Sequence, residues 1–132
     1  MKDEKDTDDE RTFEMSDEQV DLRTRTKQFA LRIIRLFGAL PNTTVAQVLG
    51  KQALRSGTSV GAHYREGHRA RSNAEFISKL ETGLQELDET SYWLELIVEA
   101  GIFPQGRLSD LQDEANQLTA ILVTCVKNAK QA

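Results

Sequence analysis

Residues 52–67 read QALRSGTSVGAHYREG, and the way this run is assigned decides the fold. Alone, SGTSVGA has the composition of a flexible loop. Its positions spaced three and four apart, Gln52, Ser56, Ser59 or Val60, His63 and Gly67, are small or polar where a core-facing helical stripe is ordinarily apolar. Its flanks are strongly amphipathic, however, so the run is assigned to a helix whose small face lets a neighbour approach closely. Gly57 and Gly61 lie four apart, and each glycine inside a helix costs about 1 kcal/mol relative to alanine. A pair at that spacing predicts close helix packing, either a tight crossing or a subunit contact.

Upstream, Ser16-Asp17-Glu18-Gln19 fits a capping box, with acids placed to suit the helix dipole. Leu22, Phe29, Ile33 and Leu36, helped by Thr26, then form a stripe at helical spacing, which predicts a first helix over 17–38 ended by Gly38 and Pro41. Asn42, Thr43 and Thr44 are competent caps for the second, over 43–67, and Thr44 with Gln47 repeats the box. Ser72-Asn73-Ala74-Glu75 is another box. It opens the most regular stripe, Phe76, Leu80, Gly83 or Leu84, Leu87, Ser91, Leu94 and Val98, and a third helix over 73–100 that stops at Gly101. Pro104 suits the first turn of a fourth, over 105–129, with Leu108, Leu111, Ala115, Leu118, Leu122, Cys125 and Ala129 inward. Four such helices on short loops predict an all-α, antiparallel up-down-up-down four-helix bundle over 16–130. Apolar side chains on more than one face of the third helix, among them Trp93, Leu96 and Ile97, imply more than one neighbour and point to a homo-oligomer.

Residues 1–15 are almost devoid of apolar side chains and are expected to be a disordered acidic tail. The chain's net charge of −4 is polarised. Residues 1–18 carry nine acids against three bases, residues 19–79 eleven bases against three acids, and residues 80–132 nine acids against three bases. Opposite charges pairing within or between subunits is one reading of this, and a basic face for phosphate is the other. At the end of the second helix Arg55, Arg65, His68, Arg69 and Arg71 surround Tyr64, combining guanidinium donors with an aromatic suited to stacking on a base of RNA or DNA. Gln52, Ser59, His63 and Glu66 are expected to form a structural polar network.

Chemistry is otherwise thin. A carboxylate-bridged metal bundle needs Glu-x-x-His on two helices with partner glutamates, and His63 with Glu66 supplies at most two ligands, so neither metal nor cofactor is implied. Gly50-Lys51 lacks the rest of a phosphate-binding loop. Cys125, the single cysteine, falls in an apolar stripe far from either histidine and is expected to be buried and inert. No apolar run is long enough for a membrane span and the charged amino terminus is unlike a secretory signal, so a cytoplasmic, non-enzymatic protein is expected.

The run Gln52, Arg55-Ser56-Gly57-Thr58-Ser59-Val60-Gly61-Ala62, Tyr64-Arg65-Glu66, followed by Arg69-Ala70-Arg71-Ser72, Ala74-Glu75-Phe76 and then Glu86, Glu89-Thr90 and Tyr92-Trp93-Leu94, resembles a bacterial family of four-helix bundles. Its founding members are encoded by intervening sequences in the gene for the large ribosomal RNA. The resemblance spans about 20–130 and departs at His63, where asparagine is expected, and at Gly67, where alanine is commoner. It implies a helical protomer that assembles into a homopentamer and has no established enzymatic activity. A related protein, the accessory subunit of diversity-generating retroelements, implies nucleic acid and a protein such as reverse transcriptase as partners.

Overall fold

The computed structural model describes residues 16–132, with side chains from Leu22 onward. The expected acidic tail and the Ser16–Gln19 capping box lie outside the described side chains. Four helices follow in order, α1 (Ser16–Ala39), α2 (Thr44–His68), α3 (Asn73–Glu99) and α4 (Gln105–Lys130). The expected boundaries agree with these to within one or two residues.

Local chemistry sets the ends. Thr43, not Thr44, caps α2, its hydroxyl accepting from the amide of Ala46 at 3.2 Å, while Gln47 turns back to donate to the carbonyl of Pro41. The box built on Thr44 therefore does not form. Ser72 caps α3 as expected, accepting from the Glu75 amide, but the Glu75 carboxylate takes the amide of Arg71 instead of returning to Ser72. Gly101, at φ +73°, closes α3. The amides of Gly101 and Ile102 donate to the carbonyls of Val98 and Ile97, a Schellman arrangement that needs the left-handed backbone glycine adopts freely. Pro104 is the residue before α4 rather than within its first turn, and it offers no side-chain cap.

Each helix packs on its two neighbours in a ring. The α2–α3 pair is the most extensive and the α4–α1 pair the lightest. Leu22, Phe29, Ile33, Val60, Leu80, Leu87, Leu94, Leu118 and Leu122 are all within 1% of full burial and form the centre. Two positions of the expected stripe on α3 differ by one residue: Thr90 and Ile97 point inward where Ser91 and Val98 were expected. On α4, Val126 is buried and Cys125 only half-buried, because α4 faces two neighbours and the core line runs between their contact stripes.

The glycine pair does what its spacing predicts, and the structure settles which neighbour it admits. A Cβ on Gly57 would lie 2.8 Å from Cγ1 of Ile33, and one on Gly61 would lie 3.0 Å from Oγ1 of Thr26. Both face α1 of the same chain, so the tight crossing, not a subunit contact, is what these glycines serve. Gly50 and Gly67 continue the pattern, against Leu40 and Leu80 respectively.

Candidate nucleic-acid interface

The antiparallel ring brings the C-terminal end of α2 and the α2–α3 loop to the end of the bundle shared with the start of α3. A helix C-terminus leaves carbonyls unsatisfied, and cations there complement the dipole. Arg65 sits half-buried in the last turn, and His68, Arg69 and Arg71 are exposed. Among the described residues Arg65, Arg69 and Arg71 make no ion pair. Three guanidiniums at one end of the molecule thus keep their donors for an external acceptor.

Two members of the expected site are elsewhere engaged. Tyr64 is 2% exposed, so its ring is part of the core and is no platform for a base. It faces inward because position 64 continues the small inner stripe through Val60, Gly61 and Gly67. Its hydroxyl lies 2.6 Å from Nε2 of His68, whose ring meets it edge-on and also contacts Phe76. Burial raises the phenol well above its ordinary pKa, the nearby Cys125 sulfur adds to this, and Arg23 opposes it. Arg55, nearly three turns before Arg65, is held by two carboxylates of α3, donating to Glu86 at 3.2 Å and to Glu89. Those acids hold its proton more firmly than usual, the Glu89 hydrogen bond contributing most. The candidate contact set is therefore Arg65, Arg69 and Arg71, with His68 beside them. These are groups that contact phosphate and not groups that stack on bases.

The expected polar network forms only in part. His63 Nδ1 lies 3.1 Å from Glu66 Oε1, and Lys79 of α3 reaches the same oxygen at 3.2 Å. Hydrogen bonding by His63, followed by that of Lys79, lowers the Glu66 carboxyl below its usual range. On its other side His63 Nε2 is 3.9 Å from Glu86, which itself accepts from Arg55. The result is a line of polar contacts, Lys79, Glu66, His63, Glu86, Arg55 and Glu89, along the α2–α3 seam, with the His63 ring between the carboxylates of Glu66 and Glu86. Gln52 and Ser59 do not belong to it. Gln52 is exposed, and the Ser59 hydroxyl bonds back to the carbonyl of Arg55.

The buried polar contact of this seam lies at Ser56 and Thr90, fully buried and 2.7 Å apart. Each hydroxyl has one hydrogen. Thr90 also lies 2.8 Å from the carbonyl of Glu86 and Ser56 3.0 Å from that of Gln52, so one hydroxyl donates to its own helix and the other donates across the seam. The signal for this pair was present: Ser56 stands between Ala53 and Val60 on the inner stripe, and a serine there needs a partner from the facing helix.

Among the described residues no group of three or more His, Cys, Asp or Glu is placed to hold a metal ion, and no helix is long and apolar enough to cross a membrane. Comparison with known proteins places the chain beside a protein family and solved structures. The model of the 23S rRNA-intervening sequence protein family fits residues 18–124. Among solved structures, a protein of unknown function from the S23 ribosomal protein family of Bacteroides thetaiotaomicron is similar. It shares 36% identity at a TM-score of 0.76, over 80% of this chain and 98% of that one. No curated protein matches the chain.

Proposed function

Because the chain belongs to the 23S rRNA-intervening sequence protein family, we propose that it acts by assembly, as a non-enzymatic homo-oligomeric helical bundle that serves as an interaction scaffold. The observation that carries this reading is apolar surface left uncovered in a single protomer. Val45 and Val48, one turn apart on α2, are 58% and 54% exposed, and Tyr92 on α3 is 53% exposed. In the antiparallel α2–α3 pair the first turns of α2 lie beside the last turns of α3, so these three fall in the same half of the seam. Trp93, whose ring packs against Tyr92 with centroids 5.2 Å apart, has a buried indole N–H with no acceptor among the described residues. Exposed aliphatic and aromatic side chains in one half of a seam are what a second copy would cover. A ring of five is the assembly that the family resemblance implies.

Light scattering on the purified chain at micromolar concentration is expected to give the mass of five 14.9 kDa protomers. The double variant Val48→Lys, Tyr92→Lys is expected to give the mass of one, with its helical circular dichroism unchanged. A wild-type monomer ends this reading.

A second reading is favoured by the unpaired arginines at the end of α2. Repeated around an oligomer, three guanidiniums per protomer make a multivalent surface for RNA or DNA, and the 23S rRNA-intervening sequence in the family's name lends this reading support. Binding to single-stranded RNA should then weaken steeply with salt. Replacing Arg65, Arg69 and Arg71 together by glutamine should flatten the log–log salt slope by about 2–3 units for each protomer that contacts the strand. An unchanged slope removes those residues from the interface.

A further inference from the structure

The α4–α1 seam, the lightest of the four, opens at the end of the bundle opposite the α2 C-terminus. There the last turns of α1 and the first turns of α4 enclose a groove of about 220 Å³. Its floor is apolar, from Leu36, Phe103 and Leu111, all buried side chains of the core. Its rim carries Arg32, Arg35 and Arg107, and no acid lines it.

Three features separate this groove from an ordinary solvated surface. In a chain of net charge −4 it concentrates three guanidiniums on one concavity. Among the described residues none of the three makes an ion pair, whereas Arg25, farther along the same seam, donates to both carboxylate oxygens of Glu114 at 3.1 and 2.8 Å. The rim is also partly preorganised: the Arg107 guanidinium stands 4.5 Å over the Phe103 ring, and Arg32 is half-buried. The adjoining start of α4 has no side-chain cap, so the positive end of its dipole adds to the same field.

We infer that this groove binds a phosphate monoester carried on a single apolar or aromatic ring. A phosphate monoester brings close to two negative charges and three acceptor oxygens, matching guanidinium forks arrayed around it better than a carboxylate with one charge and two oxygens. The floor of Leu36, Phe103 and Leu111 takes the ring. The volume lies below the usual range of about 300–1,000 Å³ for ligand pockets, which limits the body to about one ring. Two sources carry this chemistry, a free small phosphate ester and the 5′-phosphorylated end of an RNA strand.

The test is calorimetric titration of the full-length protein with phenyl phosphate at low salt. Saturable binding of one equivalent per protomer is expected, with phenol and inorganic phosphate each at least about tenfold weaker, since each lacks one half of the recognition. Arg35→Gln with Arg107→Gln is expected to weaken phenyl phosphate by at least about tenfold at an unchanged melting temperature. Should that variant fail to fold, Arg35→Gln alone, at an exposed side chain, is expected to bind more weakly than wild type. No saturation with phenyl phosphate, equal affinity for inorganic phosphate, or binding unaltered by the folded variant overturns the assignment. Competition then identifies the source: displacement by a 5′-phosphorylated short RNA but not by its 5′-hydroxyl counterpart assigns the strand end, and displacement by neither assigns a free ester.

Discussion

A protein in which Gly57 and Gly61 are both replaced by leucine is expected to melt on the order of 10–20 °C below the wild type, if it folds at all. At position 57 the new Cβ alone lies 2.8 Å from Ile33, which is 1% exposed and enclosed by core on every side. At position 61 it meets Thr26, whose hydroxyl is already committed to the carbonyl of Leu22 at 2.7 Å. The remaining leucine carbons have nowhere to go without prising α1 from α2. Overpacking costs about 1–3 kcal/mol per site, against a gain of about 1 kcal/mol per site from removing glycine in a helix. The net is about 4 kcal/mol at the upper end, a large share of the 5–15 kcal/mol that holds a typical domain. Thermal denaturation followed by circular dichroism decides it. A variant that melts with the wild type but elutes as a smaller species would move these glycines from the protomer core to a subunit boundary.

Alkaline pH should find the other weak point. Tyr64 ionises in the unfolded chain near pH 10, while burial keeps it neutral in the fold to a distinctly higher pH. Above pH 10 the folded state therefore holds a proton that the unfolded state has released, so the contribution is complete below pH 10 and is lost as pH rises toward the folded value. The loss approaches about 1.4 kcal/mol for each pH unit, the linkage limit for one proton. Urea denaturation at stepped pH should show this decline in wild type and a shallower one in Tyr64→Phe. Parallel curves would mean that the phenol is reached by water in the native state.

How much of this was accessible from residue types alone follows from what each kind of signal encodes. Helix number, order and ends were accessible because periodicity and caps are local: Ser72, Gly101 and the leucine stripes each announce their role within a few positions. The glycine pair announced a close approach but not its partner, since a missing Cβ says nothing about which backbone fills the space. Tyr64 was misassigned because its neighbours Arg65, His68 and Arg69 are basic, and sequence proximity to cations outweighed the helical phase that turns position 64 inward. Ser56 and Thr90 are 34 positions apart, and only the rotation of α3 by one residue, Thr90 inward in place of Ser91, joins them. The groove at Arg32, Arg35 and Arg107 brings together residues from opposite ends of the chain, and no spacing rule connects them.

The charged line on the α2–α3 seam has one more consequence, for how the two longest-contacting helices are kept from sliding. Glu66 now faces Lys79, and His63 faces Glu86. Drawing α3 one turn along its axis would replace Lys79 by Glu75 opposite Glu66, setting two carboxylates against each other. Sliding it the other way would bring Gly83 to that place and leave Glu66 without its lysine. The seam therefore works as a vernier scale: several small marks, each weak at the surface, coincide at a single setting and give α2 and α3 one axial position among otherwise similar ones.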